Sequence, residues 1–544
     1  MKFLRHLAWP IALLPALAAF VWTSFASRLP ESAAARRALG EVTMRWDFAE
    51  LADLRQEPAH LLARALHLAA LHVPGSSFWW AASVNAVLAL LIVFAFVAVA
   101  RRTFALAGMA QAFALGLAGL LVGSPAFGAD WLYGERTGLF LVPLLLLWSL
   151  VLLLGAGGFT WRALLVLLLT VAAPFCHTNG LLVFVALAPA LLEAARRAGS
   201  TRRVGWMLAL LICGNLAAVA TMTPAGGLAL GDTGLLGRLV AAPADTLLHL
   251  LRTTGSAWLD PVPTATWDEL ALGAFAWSLP LLFWRLGDRS DEARRQAAPW
   301  WGCVWFGLSL FVLAAERHGA DLTGAALREL TFGAFLLPIG CFGVLAARCG
   351  AGMAPVGAGV LLVLAAQDWP HGIEDLRLAR MQVERTAMNL QLSRVGGATP
   401  ANGHEELQIL QARGWAAATD GLFDAAHRAA TAPPAEHLGG VLDGDATSVR
   451  GLVRSSLTGD NVQCVVATVA GSTVDGGGEK VLGKVLPDYV GQGRNVPWTI
   501  AWDAPLADGT RVRVVGYCLR RGTFVALTEV RVVKDGKLVP ESGG

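Results

Sequence analysis

The feature that most constrains this chain is where its long apolar runs stop. From Met1 to Ala366 they alternate with short charged loops. From Gln367 to Gly544 they disappear, and turn-rich, alternating sequence takes over. A run of about 20 apolar residues can cross a bilayer as a helix, because a helix satisfies its own backbone hydrogen bonds where no water can. The chain therefore reads as an α-helical polytopic membrane domain carrying a soluble C-terminal domain. Composition agrees, since only 15% of residues are charged, against about 25% in soluble domains. Twenty tryptophans against three tyrosines suit a chain with headgroup interfaces. A formal net charge of +3 leaves no strongly basic face, so no nucleic-acid partner is expected.

Spans are expected near 7–25, 79–100, 103–122, 137–155, 161–173, 181–192, 204–222, 269–286, 299–315, 330–347 and 353–366, about 11 transmembrane helices. Lys2 and Arg5 before the first run resemble the start of a signal peptide. No clean Ala-x-Ala cleavage site follows and the apolar run is long, so it reads as an uncleaved first helix. With this count, Arg101, Arg102, Arg162, Arg196, Arg197, Arg285, Arg294, Arg295 and Arg348 fall on the same side as Lys2 and Arg5. Positive charge marks the cytoplasmic side. The N-terminus is then cytoplasmic, and an odd count puts the C-terminal domain on the extracytoplasmic face of the cytoplasmic (inner) membrane.

Three domains follow: 1–366, transmembrane, with a large outer loop at 26–78; 367–432, a helical connecting region; and 433–544, a β-sandwich. The sandwich is read from short alternating runs at 449–452, 462–469, 480–486, 498–502, 511–518 and 524–533. Turn signals such as Asp-Gly-Gly-Gly and Ala-Asp-Gly-Thr separate them. Two further outer loops are expected, at 223–268 with an amphipathic stretch at 235–251, and at 316–329.

None of the seven cysteines lies in a CxxC or metal-ligand pattern. Cys176, Cys213, Cys303, Cys341 and Cys349 read as small buried hydrophobes. Cys464 and Cys518 stand alone in the soluble domain, each in a strand-like run, and are expected to lie close enough to pair.

The candidate chemistry sits in the outer loops. Asp47, Glu50, Asp53 and Glu57 crowd the first loop beside the membrane. A carboxylate near an apolar surface has a raised pKa and can act as a general base. The competing reading for each is a solvated face of an interfacial helix. Pro58 suits a helix start, and His60, Arg64 and His67 would form a polar stripe on the helix that follows. Asp130 and Arg136 lie in the second outer stretch, and His177 and Asn179 at a hairpin between two short spans. Arg317 and Arg328 lie in the late loop. Polar groups at membrane depth are costly and are functional candidates by default. Guanidinium matches phosphate geometry.

The layout resembles the GT-C superfamily, membrane glycosyltransferases that use polyprenyl-phosphate-linked sugars. Glu57-Pro-Ala-His-Leu-Leu-Ala-Arg, followed by Val73-Pro-Gly and Asn85, is similar to the passage from first loop to second span in bacterial members. Ser124-Pro through Trp131-Leu-Tyr-Gly resembles their second outer loop. His177-Thr-Asn-Gly resembles a hairpin they carry, and Arg317 to Arg328 their late Arg-containing loop. The adjacent acidic pair common in the superfamily is absent; Asp47 and Glu50, or Glu57, stand in for it.

The resemblance implies glycosyl transfer at the outer face, to an acceptor glycan, lipid or protein. Asp47, then Glu50 or Glu57, would take the acceptor proton. Arg64, Asp130, Arg136, His177, Arg317 and Arg328 would bind substrate, with Arg317 and Arg328 on the lipid phosphate. No cofactor is required, and a divalent metal is compatible with the reaction. The rival reading is a non-catalytic envelope membrane protein whose β-domain binds a glycan or protein partner. A transporter fits less well, because no matching pair of broken helices occurs in two halves.

Overall fold

In the computed structural model the described residues of the helical part are 9–17, 21, 61–71, 78–124, 136–155, 161–198, 239–256, 267–285, 290–318 and 332–350, with single positions between 359 and 376. Those of the C-terminal part are 438–454, 461–462, 464–472, 480–487, 495–518 and 523–541. The chain divides into two compact units, Met1–Ala26 with Met44–Asp375, and Ser27–Thr43 with Leu376–Gly544.

The first unit is helical. After helical residues 9–17 come α1 (Leu61–Leu71), α2 (Phe78–Phe104), α3 (Met109–Val122), α4 (Thr137–Leu154) and α5 (Trp161–Ala172). Two 3-10 turns, Ala173–Phe175 and Thr178–Leu181, lead into α6 (Leu182–Ala198). Then follow α7 (Pro243–Ser256), α8 (Trp267–Arg285), α9 (Asp291–His318) and α10 (Leu336–Cys349). Three helices are long and apolar enough to cross a membrane by length and composition: Ser83–Phe104 of α2, Thr137–Leu154 of α4 and Asp291–Ala315 of α9. Four shorter apolar stretches correspond to α3, α5, α6 and α10. The expected count of about 11 spans is therefore not reached among the described residues. The span expected at 204–222 lies outside them, as does nearly all of 353–366.

Several expected boundaries move, for physical reasons. α2 continues through Arg101 and Arg102, and the chain breaks instead at 105–108, where Ala105 has φ 51° and Gly108 φ 56°. Basic residues suit the negative end of a helix, and the Arg102 guanidinium donates to the Val151 carbonyl near the end of α4. Arg162, from the start of α5, donates to the Gly155 carbonyl just beyond it. α9 starts at Asp291 rather than near 299, with Asp291 and Glu292 in its first turn paired to Arg294 and Arg295. It runs on to His318, taking in the start of the expected late loop.

Helical residues 9–17 pack with small residues inward and large apolar ones outward. Ala12 and Ala16 are buried, while Ile11 and Leu14 are 59% and 63% exposed. The buried side rests on glycines of α3: a Cβ at Gly119 would come 2.7 Å from the Ala16 nitrogen, and one at Gly123 2.7 Å from the Pro15 oxygen. Gly343 of α10 lies flat against the ring of Trp300, which also stacks on Phe104 at 5.7 Å between centroids. Close backbone approach through small residues is how helices associate where the surroundings are as apolar as leucine.

The second unit is a β region of two sheets. One has the order β1 (Gly439–Gly444), β2 (Ser448–Arg454), β5 (Asn495–Ala501). The other has β4 (Lys480–Val485), β3 (Cys464–Val469), β6 (Arg511–Cys518), β8 (Arg531–Lys534), β9 (Lys537–Pro540), with β7 (Thr523–Ala526) also paired to β6. Val449, Val453, Val496, Trp498 and Ile500 from the first sheet share one core with Val465, Ala467, Val512, Val514, Val533 and Leu538 from the second. The alternation of β5, out and in by turns, is the period-2 pattern that makes this possible. The connecting region at 377–432 lies outside the described residues.

The expected pairing of Cys464 with Cys518 is corrected. Neither thiol is in a disulfide. Cys464 stands opposite Tyr517, so Cys518 is one residue out of register. Successive side chains in a strand point to opposite faces. Cys518 belongs to the shared core, while Cys464 lies with Tyr517 and Phe524 on the other face of the sheet. That face is buried too, at 0%, 1% and 3% exposure for the three residues. Among the apolar-run cysteines, Cys176, Cys303 and Cys341 are buried, Cys349 is exposed, and Cys213 lies outside the described residues.

Candidate functional site

Three backbones meet at Gly138, in the first turn of α4. A Cβ there would overlap the Cys176 carbonyl oxygen and lie 3.3 Å from the Ala63 Cβ of α1. Only a glycine lets α4, α1 and the 173–181 hairpin approach so closely. The hairpin is itself held by a glycine, since a Cβ at Gly180 would overlap the Ala173 carbonyl.

Each of the three contact residues has a candidate within two residues along the chain. Arg64 follows Ala63, His177 follows Cys176, and Arg136 precedes Thr137 and Gly138. All three side chains are half-buried. Three separate stretches of sequence thus meet at Gly138, and Arg64, Arg136 and His177 lie beside the contact on their own stretches.

Beneath them the junction is polar and tied. The Thr137 hydroxyl donates to Asn85 Oδ1 at 2.8 Å, joining α4 to α2. The backbone N–H of Asn179 donates to His177 Nδ1 at 3.2 Å. An Nδ1 acting as acceptor places the proton of a neutral imidazole on Nε2. Asn179 is 4% exposed, and its Oδ1 is buried with no hydrogen-bond partner among the described residues. A buried unpaired acceptor costs about 1–3 kcal/mol, so a further donor at the hairpin would be stabilising.

Two residues further along α4, Phe140 packs on Phe332 with centroids 4.1 Å apart. Phe332 is the first described residue after the late loop. The exit of that loop is therefore fixed to the first turns of α4.

The remaining candidates stand as follows. Asp47, Glu50, Glu57, Asp130 and Arg328 lie outside the described residues. Arg317 lies in the last turn of α9, with its backbone alone described. Among the described residues, no group of three or more His, Cys, Asp or Glu is placed to hold a metal ion.

Sequence reasoning missed two things here. Thr137 gave no signal, because a single threonine at the head of an apolar run reads as a helix cap. A buried ion pair between α7 and α8 was hidden because Arg252 and Glu269 sit in segments read as an outer loop and a span. Their signal was available: two opposite charges at the borders of apolar stretches, facing each other only once the helices fold back.

The β unit has a separate groove of about 550 Å³, lined by Gly439, Gly440, Leu452, Arg454, Asn495 and Glu529 among others. Arg454, Asn495 and Glu529 are exposed. They offer donors and acceptors beside the backbone of edge strand β1.

Comparison of the chain with protein-family models, with curated proteins and with solved structures finds no match.

Proposed function

We propose that the chain is a membrane glycosyltransferase of GT-C type, moving a sugar from a polyprenyl-phosphate donor to an acceptor at the outer face of the cytoplasmic membrane. The observation that carries this reading is the junction at Gly138. Two arginines and a histidine stand one or two residues along the chain from its contacts, at the end of an apolar helix. An arginine pair suits a departing lipid phosphate, because its charge develops as the glycosidic bond breaks.

In this reading about 11 spans cross the membrane, with the N-terminus cytoplasmic and the β-domain outside. Asp47, or Glu50 or Glu57 in its place, takes the proton from the acceptor hydroxyl. Arg64, Arg136 and His177 bind donor, joined by Asp130, Arg317 and Arg328. The packing of Phe332 on Phe140 supports the last assignment, since it brings the end of the late loop to the same helix end.

The test uses purified protein in liposomes with radiolabelled polyprenyl-phosphate-linked hexoses and pentoses and a glycan acceptor. Transfer is expected from one of these donors, with R136A lowering it by about a hundredfold, the scale of losing one stabilising donor. Equal transfer by R136A and wild type overturns the site, and no transfer from any donor overturns the activity.

A second reading is favoured by one observation, the groove beside β1. Its mixed polar lining suits a glycan or an extended peptide, and the helical unit would then be its membrane scaffold. Glycan binding by the full chain that survives R136A but is lost in R454A, with no transfer, would support it.

A further inference from the structure

α7 and α8 fold against each other with glycines at the contact. A Cβ at Gly255 would overlap the Glu269 carbonyl, and one at Gly273 the Leu251 carbonyl. Several of their polar side chains are paired at or near the contact. Thr253 and Thr254 donate to the His249 and Leu250 carbonyls one turn back, and the Trp277 indole donates to Thr254 Oγ1 at 2.9 Å. The outward surface is apolar: Leu247 and Leu248 on α7 are 53% and 49% exposed, and Trp267 and Phe275 on α8 are 85% and 55% exposed.

Asp245, Asp268 and Arg285 are exposed towards the helix ends, and one further charged group, Arg252, is paired inward. Arg252 Nε donates to Glu269 Oε2 at 3.2 Å. The Glu269 side chain is 2% exposed and that of Arg252 32%. The carboxylate is thus buried and holds the guanidinium by one nitrogen. Nη1 and Nη2 have no partner among the described residues, and Leu248 lies on the same face one turn earlier.

We infer that Arg252 is a binding site for the phosphate of a membrane lipid, held in position by Glu269. A guanidinium offers five N–H groups in a fixed fork. Glu269 uses one edge and fixes the plane, leaving the other edge to donate to two phosphate oxygens side by side. The ion pair is neutral overall, so long-range attraction contributes little and geometry decides. In apolar surroundings an open guanidinium edge is costly, and a lipid phosphate relieves it while its chains cover Leu247, Leu248 and Phe275. A water-soluble phosphate ester has the same head chemistry but leaves those side chains bare. Glu269 is the positioning residue and Arg252 the contact.

This inference rests on the membrane reading of the helical unit and not on glycosyl transfer. Loss of either leaves the other standing. The test measures dioleoyl-phosphatidylglycerol bound to the purified full chain in a neutral detergent, by native mass spectrometry. Wild type is expected to hold one more lipid than R252A, whose affinity at this site falls about tenfold, the value of one charge-assisted bond. R252K keeps the charge and the pair with Glu269 but lacks the fork, and is expected to bind more weakly than wild type. Equal binding in R252K and wild type overturns the forked contact, and covers the case in which R252A does not fold. Displacement by glycerol phosphate at the same concentration as by lipid overturns the lipid assignment.

Discussion

The Thr137 hydroxyl donates to Asn85 Oδ1 at 2.8 Å, and neither residue is more than 1% exposed. The bond crosses from the head of α4 to α2. Removing the hydroxyl by T137V leaves the Asn85 acceptor without that donor in a buried place, at a cost of about 1–3 kcal/mol. Thermal unfolding in detergent should show a lower midpoint for T137V. In a double-mutant cycle, N85L with T137V should lose less than the sum of the two, because no orphan is left. Simple additivity would show that the pair is not coupled.

Gly138 has no room for a side chain against Cys176 and Ala63. G138A must push α1 or the hairpin aside, and overpacking of this kind costs about 1–3 kcal/mol. If Arg64, Arg136 and His177 act together, transfer should fall in G138A even where the protein still folds. Full activity in a folded G138A would mean the junction does not position them.

Burial pushes the Cys464 thiol up to about 12. The sign is that of a group kept protonated by the fold: its contribution is complete below the ordinary thiol value and is lost as pH rises from about 8.5 toward about 12. At pH 8.5 maleimide should therefore leave Cys464 unmodified in the native chain and react with it in denaturant. Non-reducing electrophoresis should show no Cys464–Cys518 bridge. Labelling at the rate of a free thiol would contradict the buried placement.

Asp445 accepts from the backbone N–H groups of Thr447 at 2.7 Å and Ser448 at 2.8 Å, holding the turn before β2. Its carboxyl lies below the usual carboxylate range, chiefly through the Thr447 hydroxyl and then the Thr447 N–H. Asp443 is lowered too, by Arg450. For both, the stabilisation is complete above about 3.9, the unfolded aspartate value, and is lost as pH falls through the lower folded value. Hydrogen exchange of the Thr447 and Ser448 amides should quicken at acid pH in wild type and change less in D445N.

The hairpin between β8 and β9 turns through Asp535 and Gly536, at φ 52° and 71°. Left-handed backbone at both central residues is the two-residue turn that matches strand twist. G536A should cost about 1 kcal/mol, read as a lower denaturation midpoint of the β-region signal. An unchanged midpoint would show that the turn relaxes at no cost.

That hairpin shows what sequence could convey. Asp-Gly between short apolar runs is a strong local signal, yet the last strand expected ended at 533. β1 was missed for the opposite reason: Gly-Gly-Val-Leu-Asp-Gly has little strand propensity, and only pairing with β2 makes it a strand. Long apolar helices were legible because twenty residues of one character outweigh any local detail. The break after α2 was not, because a charge pair such as Arg101–Arg102 reads as a loop until a partner carbonyl is known. Of the candidate residues, Arg64, Arg136 and His177 were found as single polar residues. The meeting of their three stretches at Gly138 depends on backbone distances that no local pattern encodes.

Arg102 and Arg162 both reach carbonyls at the far end of α4, and their guanidinium groups converge on Gly155. In a bilayer such a pair acts as a stop. Headgroup-seeking charges at that end prevent the helix from sliding along its own axis, so a change in membrane thickness has to be absorbed at the opposite end. That end carries Gly138. Thicker or thinner lipid would then tune the spacing of Arg64, Arg136 and His177 without touching any of them.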